Sequence, residues 1–203
     1  MKVGAQYSHL NGFEYLKVHK PEILDEIYEV IYRIDAEKCK TKLSEERTKY
    51  GKLLYSPGDM NKAFKDELER RDWKEERYKY FVTDDEDLTR KILTLSPKKQ
   101  KKEIEEAGKI PFESYNQTDF VKNRTAVELQ FGKYSFVAFD IFVKHMGFYI
   151  ADKIDVGIEI LPMRKLLNEM SSGPSYYERE LQHIIRQGRG NPPFPFLLIG
   201  IEP

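Results

Sequence analysis

Apolar residues recur at helical spacing early in the chain. Ile23, Ile27, Val30, Ile31 and Ile34 follow Pro21, with Glu22, Asp25 and Glu26 in the opening turns, where a helix N-terminus favours negative charge. This pattern predicts an amphipathic helix packed on another layer. A second helix is predicted from about Asn61 to Arg71, after the turn Ser56-Pro57-Gly58. A third is predicted from about Pro97 to Ala107, ending at Gly108. Between these two, RYKYFVT reads as a strand.

From Tyr115 onward the pattern changes to strand-like runs: YNQTDFV, TAVELQF, DVGIEIL and finally FPFLLIGI, with helical stretches between them. No internal repeat or low-complexity linker marks a second domain. The expected fold class is therefore α/β, of the mixed α+β kind, in one domain: a helical N-terminal half, about 1–110, packed on a sheet core, about 111–203. The segment Phe136 to Ala151 is apolar nearly all round, interrupted mainly by Asp140, Lys144 and His145. Asp140 and Lys144 stand one helical turn apart. Such a helix is either buried in the monomer or shared between the core and a subunit interface, and His145 within it reads as a packed or interfacial histidine, not a base.

Composition narrows the function classes only a little. Lys plus Arg equals Asp plus Glu at 34 each in 203 residues, so any attraction to phosphate must come from local clustering. The run Lys98, Lys99, Lys101 and Lys102, followed by Glu103, Glu105 and Glu106, has the pattern of a solvated helix with internal ion pairs. The single cysteine, Cys39, excludes an intramolecular disulfide and a cysteine metal cage, and suits a buried thiol in a reducing cytoplasm. The N-terminus, MKVGAQYSHLNGFEYLKVHK, has no signal-like apolar run, and no stretch approaches the roughly 18 apolar residues of a membrane span, so a cytoplasmic location is expected.

Candidate chemistry sits in the second half. Along TAVELQF the pleat sets Ala126, Glu128 and Gln130 on one face and Thr125, Val127, Leu129 and Phe131 on the other. The apolar face is expected to pack and the acid to face outward with the amide. Eight residues separate Asp119 from Glu128, and Lys122-Asn123-Arg124 is polar enough to turn, so a hairpin can bring both carboxylates to one ion. Mg²⁺ takes one or two carboxylates, waters and phosphate oxygens, and phosphodiester hydrolysis is the natural reaction class for such a site. Spacing alone leaves open a hairpin whose acids merely face solvent.

The run TDFVKNRTAVELQFGKYSF resembles the catalytic segment of the BglII-type restriction endonucleases, in the BglII/BamHI-like branch of the PD-(D/E)xK nucleases. YSHLNG, SYNQTDFV, FGKYSFVA, FVKHM, DKIDVG, EMSSG, SYYE and IRQGRG extend the resemblance over essentially the whole chain. It implies a mixed central β-sheet flanked by helices, Mg²⁺-dependent cleavage of duplex DNA, a homodimer, and a cognate methyltransferase that protects the host genome. It places the metal-binding acids at Asp119 and Glu128 and the third catalytic position at Gln130, where most relatives carry lysine. The usual proline before the first acid is replaced by Thr118. A neutral Gln130 can orient a water through its carbonyl and amide but cannot stabilise hydroxide by charge.

The resemblance also implies a target with GATC at its centre. Guanine offers N7 and O6 to Arg or Lys, and adenine offers N6 and N7 to Asn or Gln. Candidates for DNA contact are Asn116, Lys133, Ser172 in the SSGPS loop, and Arg186 and Arg189 in RQGRGN. BglII-like sequences carry a serine-asparagine pair before the tyrosine where this chain has Gly132 and Lys133, which implies a changed outer base pair and the site RGATCY. Two rival functions are a structure-specific repair or recombination nuclease on the same core, and a DNA-binding module that has lost catalysis.

Overall fold

The computed structural model describes residues 1–203 apart from 46, 48, 133–135 and 172. Strand β1 (Lys2–His9) leads into helices α1 (Gly12–His19) and α2 (Pro21–Arg33). A small antiparallel ladder, β2 (Lys42–Leu43) with β3 (Leu53–Leu54), precedes α3 (Pro57–Glu69). Strand β4 (Lys74–Val82) is followed by α4 (Glu86–Ile92) and α5 (Pro97–Glu106). Strands β5 (Phe112–Lys122) and β6 (Thr125–Leu129) form a hairpin. A long helical segment then runs through α6 (Val137–Phe139), a π-helical turn (Asp140–His145) and α7 (Met146–Ile150). Strand β7 (Val156–Pro162), α8 (Arg164–Leu167), α9 (Tyr177–Arg186) and β8 (Phe196–Glu202) complete the chain.

The predicted helices begin where local chemistry starts them. Pro21, Pro57 and Pro97 each open a helix, a position where the missing N–H costs nothing. Ser56 caps α3 by accepting from the Asp59 amide at 3.3 Å. Gly108, at φ +72°, takes the left-handed conformation just beyond α5. The charged face of α5 carries the ion pairs Lys101–Glu105 and Lys102–Glu106 in solvent, and Cys39 is a buried free thiol.

One six-stranded sheet organises these elements in the order β1-β8-β7-β6-β5-β4. Its centre, β6-β7-β8, is parallel, while β5 on β6, β4 on β5 and β1 on β8 are antiparallel, so the sheet is mixed. Every residue of β7 is buried, as expected for a parallel strand covered on both sides. The fold is thus the expected mixed α+β arrangement. The first half supplies both edge strands: β4, the strand expected at RYKYFVT, and β1, which its periodicity does not predict. No long apolar run marks β1: KVGAQYSH is rich in small and polar residues, and as an edge strand it is only half buried.

The two faces of the sheet are covered differently. Val127, Ile158, Ile160, Leu197 and Ile199 pack with Ile27 and Ile31 of α2 and Phe64 of α3 in the main core. On the opposite face lies the Val137–Ile150 segment: Phe148 clusters with Ala126, and the His145 ring lies against Gly157. A Cβ at Gly157 would sit 2.5 Å from Nδ1 of His145, so only glycine admits this approach. The segment is buried through Val137, Asp140, Ile141, His145 and Phe148, while Phe136, Phe139, Val143 and Tyr149 face outward. No helix among the described residues is long and apolar enough to cross a membrane.

Candidate active site

The β5–β6 hairpin fixes the register of the two predicted acids. Its ladder pairs Lys122 with Thr125, Val121 with Ala126 and Phe120 with Val127. The two linking residues, Asn123 at φ 45° and Arg124 at φ 58°, are both left-handed, as the tightest hairpin turns require. For Arg124 that conformation is unfavourable, and the guanidinium is held down by Asp155 Oδ1 at 2.9 Å and the Asp152 carbonyl at 2.7 Å. Lys20 Nζ donates to the Asn123 carbonyl at 2.6 Å and to Asp155 Oδ2 at 2.8 Å, tying the tip to the same aspartate. The ladder stops at Phe120 and Val127, and the next residue outward on each strand is Asp119 and Glu128. The acids therefore stand at the fork where the strands part.

A surface cavity at this fork is lined by Asp119, Glu128, Gln130, Asp140, Lys144 and Asn61. Asp119 is exposed, whereas Glu128 is only 3% and Gln130 only 2% accessible. The expectation that Glu128 faces outward with the amide is corrected here: the helical segment after β6 roofs that face. Thr118 Oγ1 donates to Glu128 Oε1 at 2.7 Å, and Lys144 Nζ reaches the same oxygen at 2.7 Å. Among the described residues both contacts fall on Oε1 and neither on Oε2. Lys144 also pairs with Asp140 Oδ1 at 2.8 Å. Gln130 Nε2 donates to Asp140 Oδ2 at 2.5 Å and to Glu159 Oε2 at 2.9 Å. Its amide hydrogens are thereby committed, and only its carbonyl oxygen is free to orient a water.

Burial and mutual repulsion set the electrostatics. Burial, and then the charge of Asp119, push the Glu128 carboxyl up to about 8, against the pull of Lys144. Burial raises Glu159 well above the carboxylate range, with Asp140 and Glu128 adding to it. Burial disfavours the Lys144 ammonium, but the carboxylates of Glu128 and Asp140 outweigh it and raise its pKa. Burial, helped by Lys144, lowers His145 to about 3. His145 Nδ1 and Glu159 Oε1 stand 3.6 Å apart, and with both groups driven neutral this contact is packing and not an ion pair. Neither ring nitrogen of His145 has a hydrogen-bond partner, in keeping with its reading as a packed histidine.

Among the described residues, Asp119, Glu128, Asp140 and Glu159 outnumber the one ammonium beside them, Lys144, so these groups carry surplus negative charge that protons or a cation must balance. Among the described residues no three acidic, histidine or cysteine side chains converge into a closed cage. That donor set suits a hard, hydrated divalent ion that takes one or two carboxylates and fills the rest of its shell with water and substrate oxygens.

The structure brings Asp119, Glu128 and Gln130 together, and adds Thr118, Asp140, Lys144 and Glu159. Glu159 had a legible signal, being the charged residue inside the buried run DVGIEIL, directly beside Glu128 in the ladder. The candidates for DNA contact lie elsewhere or beyond description. Lys133 and Ser172 fall outside the described residues. Arg186 ends α9 and Arg189 follows in the next loop, both exposed and neither lining the acid cavity. Asn116 lines a separate, mainly apolar cavity with Tyr78, Tyr80 and Gly147.

Residues 5–201 match the family described as restriction endonuclease BglII/BglIII. The chain belongs to that family. As a member of the BglII/BglIII family it is a type II site-specific deoxyribonuclease. Among solved structures, it is similar to restriction endonuclease BglII complexed with a DNA 16-mer, with a TM-score of 0.67 and 22% identity over 100% of this chain and 79% of that one. It is also similar to free BglII, with a TM-score of 0.61 and 19% identity over 100% of this chain and 80% of that one. At these identities the likeness shows the fold alone. No curated protein matches the sequence.

Proposed function

We propose that the chain is a Mg²⁺-dependent, BstYI-type restriction endonuclease that cuts double-stranded DNA at RGATCY, after the purine, leaving 5′ GATC overhangs. It acts as a cytoplasmic homodimer beside a methyltransferase that protects the same sites. The observation that carries the chemistry is the pair Asp119 and Glu128 at the hairpin fork, beside a glutamine whose amide is locked.

Asp119 and the Oε2 side of Glu128 would hold the ion, which when bound acidifies a water and neutralises charge on the scissile phosphate. Thr118 and Lys144 fix the Glu128 carboxylate from the Oε1 side. Asp140 and Glu159 fix the amide of Gln130, so its carbonyl oxygen can accept from the attacking water and turn a lone pair toward phosphorus. Lys133 is the proposed reader of the outer base pair, with Ser172, Arg186, Arg189 and Asn116 as further DNA contacts. A two-fold dimer suits a palindromic target.

The test is digestion of a sequenced plasmid with purified protein and Mg²⁺, followed by run-off sequencing of the ends. Ends only at RGATCY with GATC overhangs are expected, with none after chelation by EDTA. Asp119→Asn and Glu128→Gln are each expected to lower cleavage by about 10³-fold or more. Ends at AGATCT alone would refute the reading of Lys133. Cutting confined to branched or damaged DNA would favour a repair nuclease, and unaltered cleavage in both variants would overturn the assigned site.

A further inference from the structure

Lys144 is the only cation among the described residues that line the acid cavity. It comes from the roofing helix and not from the hairpin that carries the acids. Its place is set by the π-helical turn, whose last residue, His145, packs its ring against Gly157 with no room for a side chain there. From that anchored turn its ammonium reaches Glu128 on β6 and Asp140 one turn back, at 2.7 and 2.8 Å. An ammonium has three N–H donors, so one remains after these two contacts, on a side chain that borders the open cavity. Burying such a charge is costly, and an ion pair at this depth is a poor device for stability alone. Gln130, the neighbouring polar group, is neutral and its amide is spent on two carboxylates. Among the described residues, the cavity in which negative charge would develop on phosphate therefore has one fixed positive donor.

We propose that Lys144 is a catalytic residue of phosphodiester cleavage, bracing Glu128 and Asp140 when the enzyme is free and donating its third N–H to an anionic oxygen of the scissile phosphate when DNA is bound. This rests on the endonuclease reading above. Lys144 transfers no proton; flanked by two carboxylates it stays an ammonium and acts as a hydrogen-bond donor whose worth grows as phosphate charge builds.

The test uses Lys144→Met, which keeps the aliphatic stem, with Lys144→Gln as a second neutral variant and Lys144→Arg as the conservative one. Three quantities are measured: single-turnover cleavage of a duplex cut by the wild type across a Mg²⁺ series, affinity for that duplex in Ca²⁺, and Tm with and without Mg²⁺. The neutral variants are expected to lose about 100-fold in rate at saturating Mg²⁺, with Lys144→Arg recovering at least about tenfold. Duplex affinity in Ca²⁺ should stay within about threefold of wild type, since the interaction strengthens only as charge develops. Mg²⁺ should return their Tm to near the wild-type value. Neutral variants that cleave within about threefold of wild type at saturating Mg²⁺ would overturn the proposal, leaving Lys144 a brace for the carboxylates. A rate loss explained wholly by a higher half-saturating Mg²⁺ concentration would overturn it too. A folded wild-type chain that cuts no duplex at all would overturn the endonuclease reading, and this inference with it.

Discussion

The neighbouring strands β6 and β7 are buried on both sides, and their two faces follow opposite rules. On one, Val127, Ile158 and Ile160 are fully buried among aliphatic and aromatic side chains from α2, α3 and β8. On the other, Glu128, Gln130 and Glu159 are just as hidden from water, under a helical segment that contributes Asp140, Lys144 and His145. The first face gains free energy for every apolar surface it removes from water, roughly 25 cal/mol per Å². The second spends it, because each buried carboxylate must be paired or driven neutral. A sheet held from one side can carry a costly arrangement on the other, and that is where the proposed active site lies.

The sharpest way to break this contrast is to weaken the apolar face. Ile158→Ala should cost about 2–5 kcal/mol in urea-induced unfolding while the protein still folded cleaves DNA at the wild-type rate per active site. A rate loss larger than the loss of folded protein would mean that the two faces are not separable. A smaller stability effect, with a larger functional one, is expected from Gly157→Ala. The added methyl meets His145 Nδ1 at 2.5 Å, so overpacking should cost about 1–3 kcal/mol and lift the turn that carries Asp140 and Lys144. Cleavage by the folded variant should drop by about tenfold or more, since about 1 Å of misplacement at a site is costly. Shrinking the ring in the same chain, with His145→Ala, should make the pair of changes less damaging than their sum in a double-mutant cycle. Strict additivity would show that the His145–Gly157 contact does not position the turn.

The same contrast explains what could be read from sequence. The apolar face was legible because period and composition coincide: Ile23, Ile27, Val30 and Ile31 at helical spacing, and valine, isoleucine and leucine in the strands. The proximity of Asp119, Glu128 and Gln130 was legible because all three lie within one short stretch around a hairpin, while their reading as a metal site came from the resemblance to the endonuclease family. Asp140, Lys144 and Glu159 were not joined to them, because their proximity depends on a parallel crossover and on a helix folding back over β6. Local pattern cannot encode that return; it showed only that charges interrupt the apolar segments from Phe136 to Ala151 and DVGIEIL. The burial of Glu128 is not legible for the same reason, since alternation along a strand tells which residues share a face but not what covers it. The edge strand β1 escaped because edge strands need no continuous apolar run.

Glu159 offers the gentlest test, and the one that separates the faces by pH. Its folded-state pKa is raised far above the ordinary value near 4.5, chiefly by burial. Below that ordinary value the carboxyl is neutral in both the folded and the unfolded chain, and its contribution to stability is fully present. As pH rises the unfolded chain ionises while the folded one does not, so stability is lost progressively until the folded pKa is passed, by at most about 1.4 kcal/mol per pH unit. Glu159→Gln removes the titration but keeps a carbonyl oxygen that can accept from Gln130. Metal-free Tm profiles of wild type and variant should therefore meet near pH 4.5 and diverge toward pH 8, with the wild type falling below. Glu128 remains in both proteins and its charge adds to the rise at Glu159, so the difference reports the Glu159 titration with that coupling included. Parallel profiles would mean that Glu159 is ionised in the folded protein, and the charged face would then need a compensating cation even without metal. The deficit of Ile158→Ala, by contrast, should be the same at both ends of that range, because an apolar cavity has no proton to gain or lose.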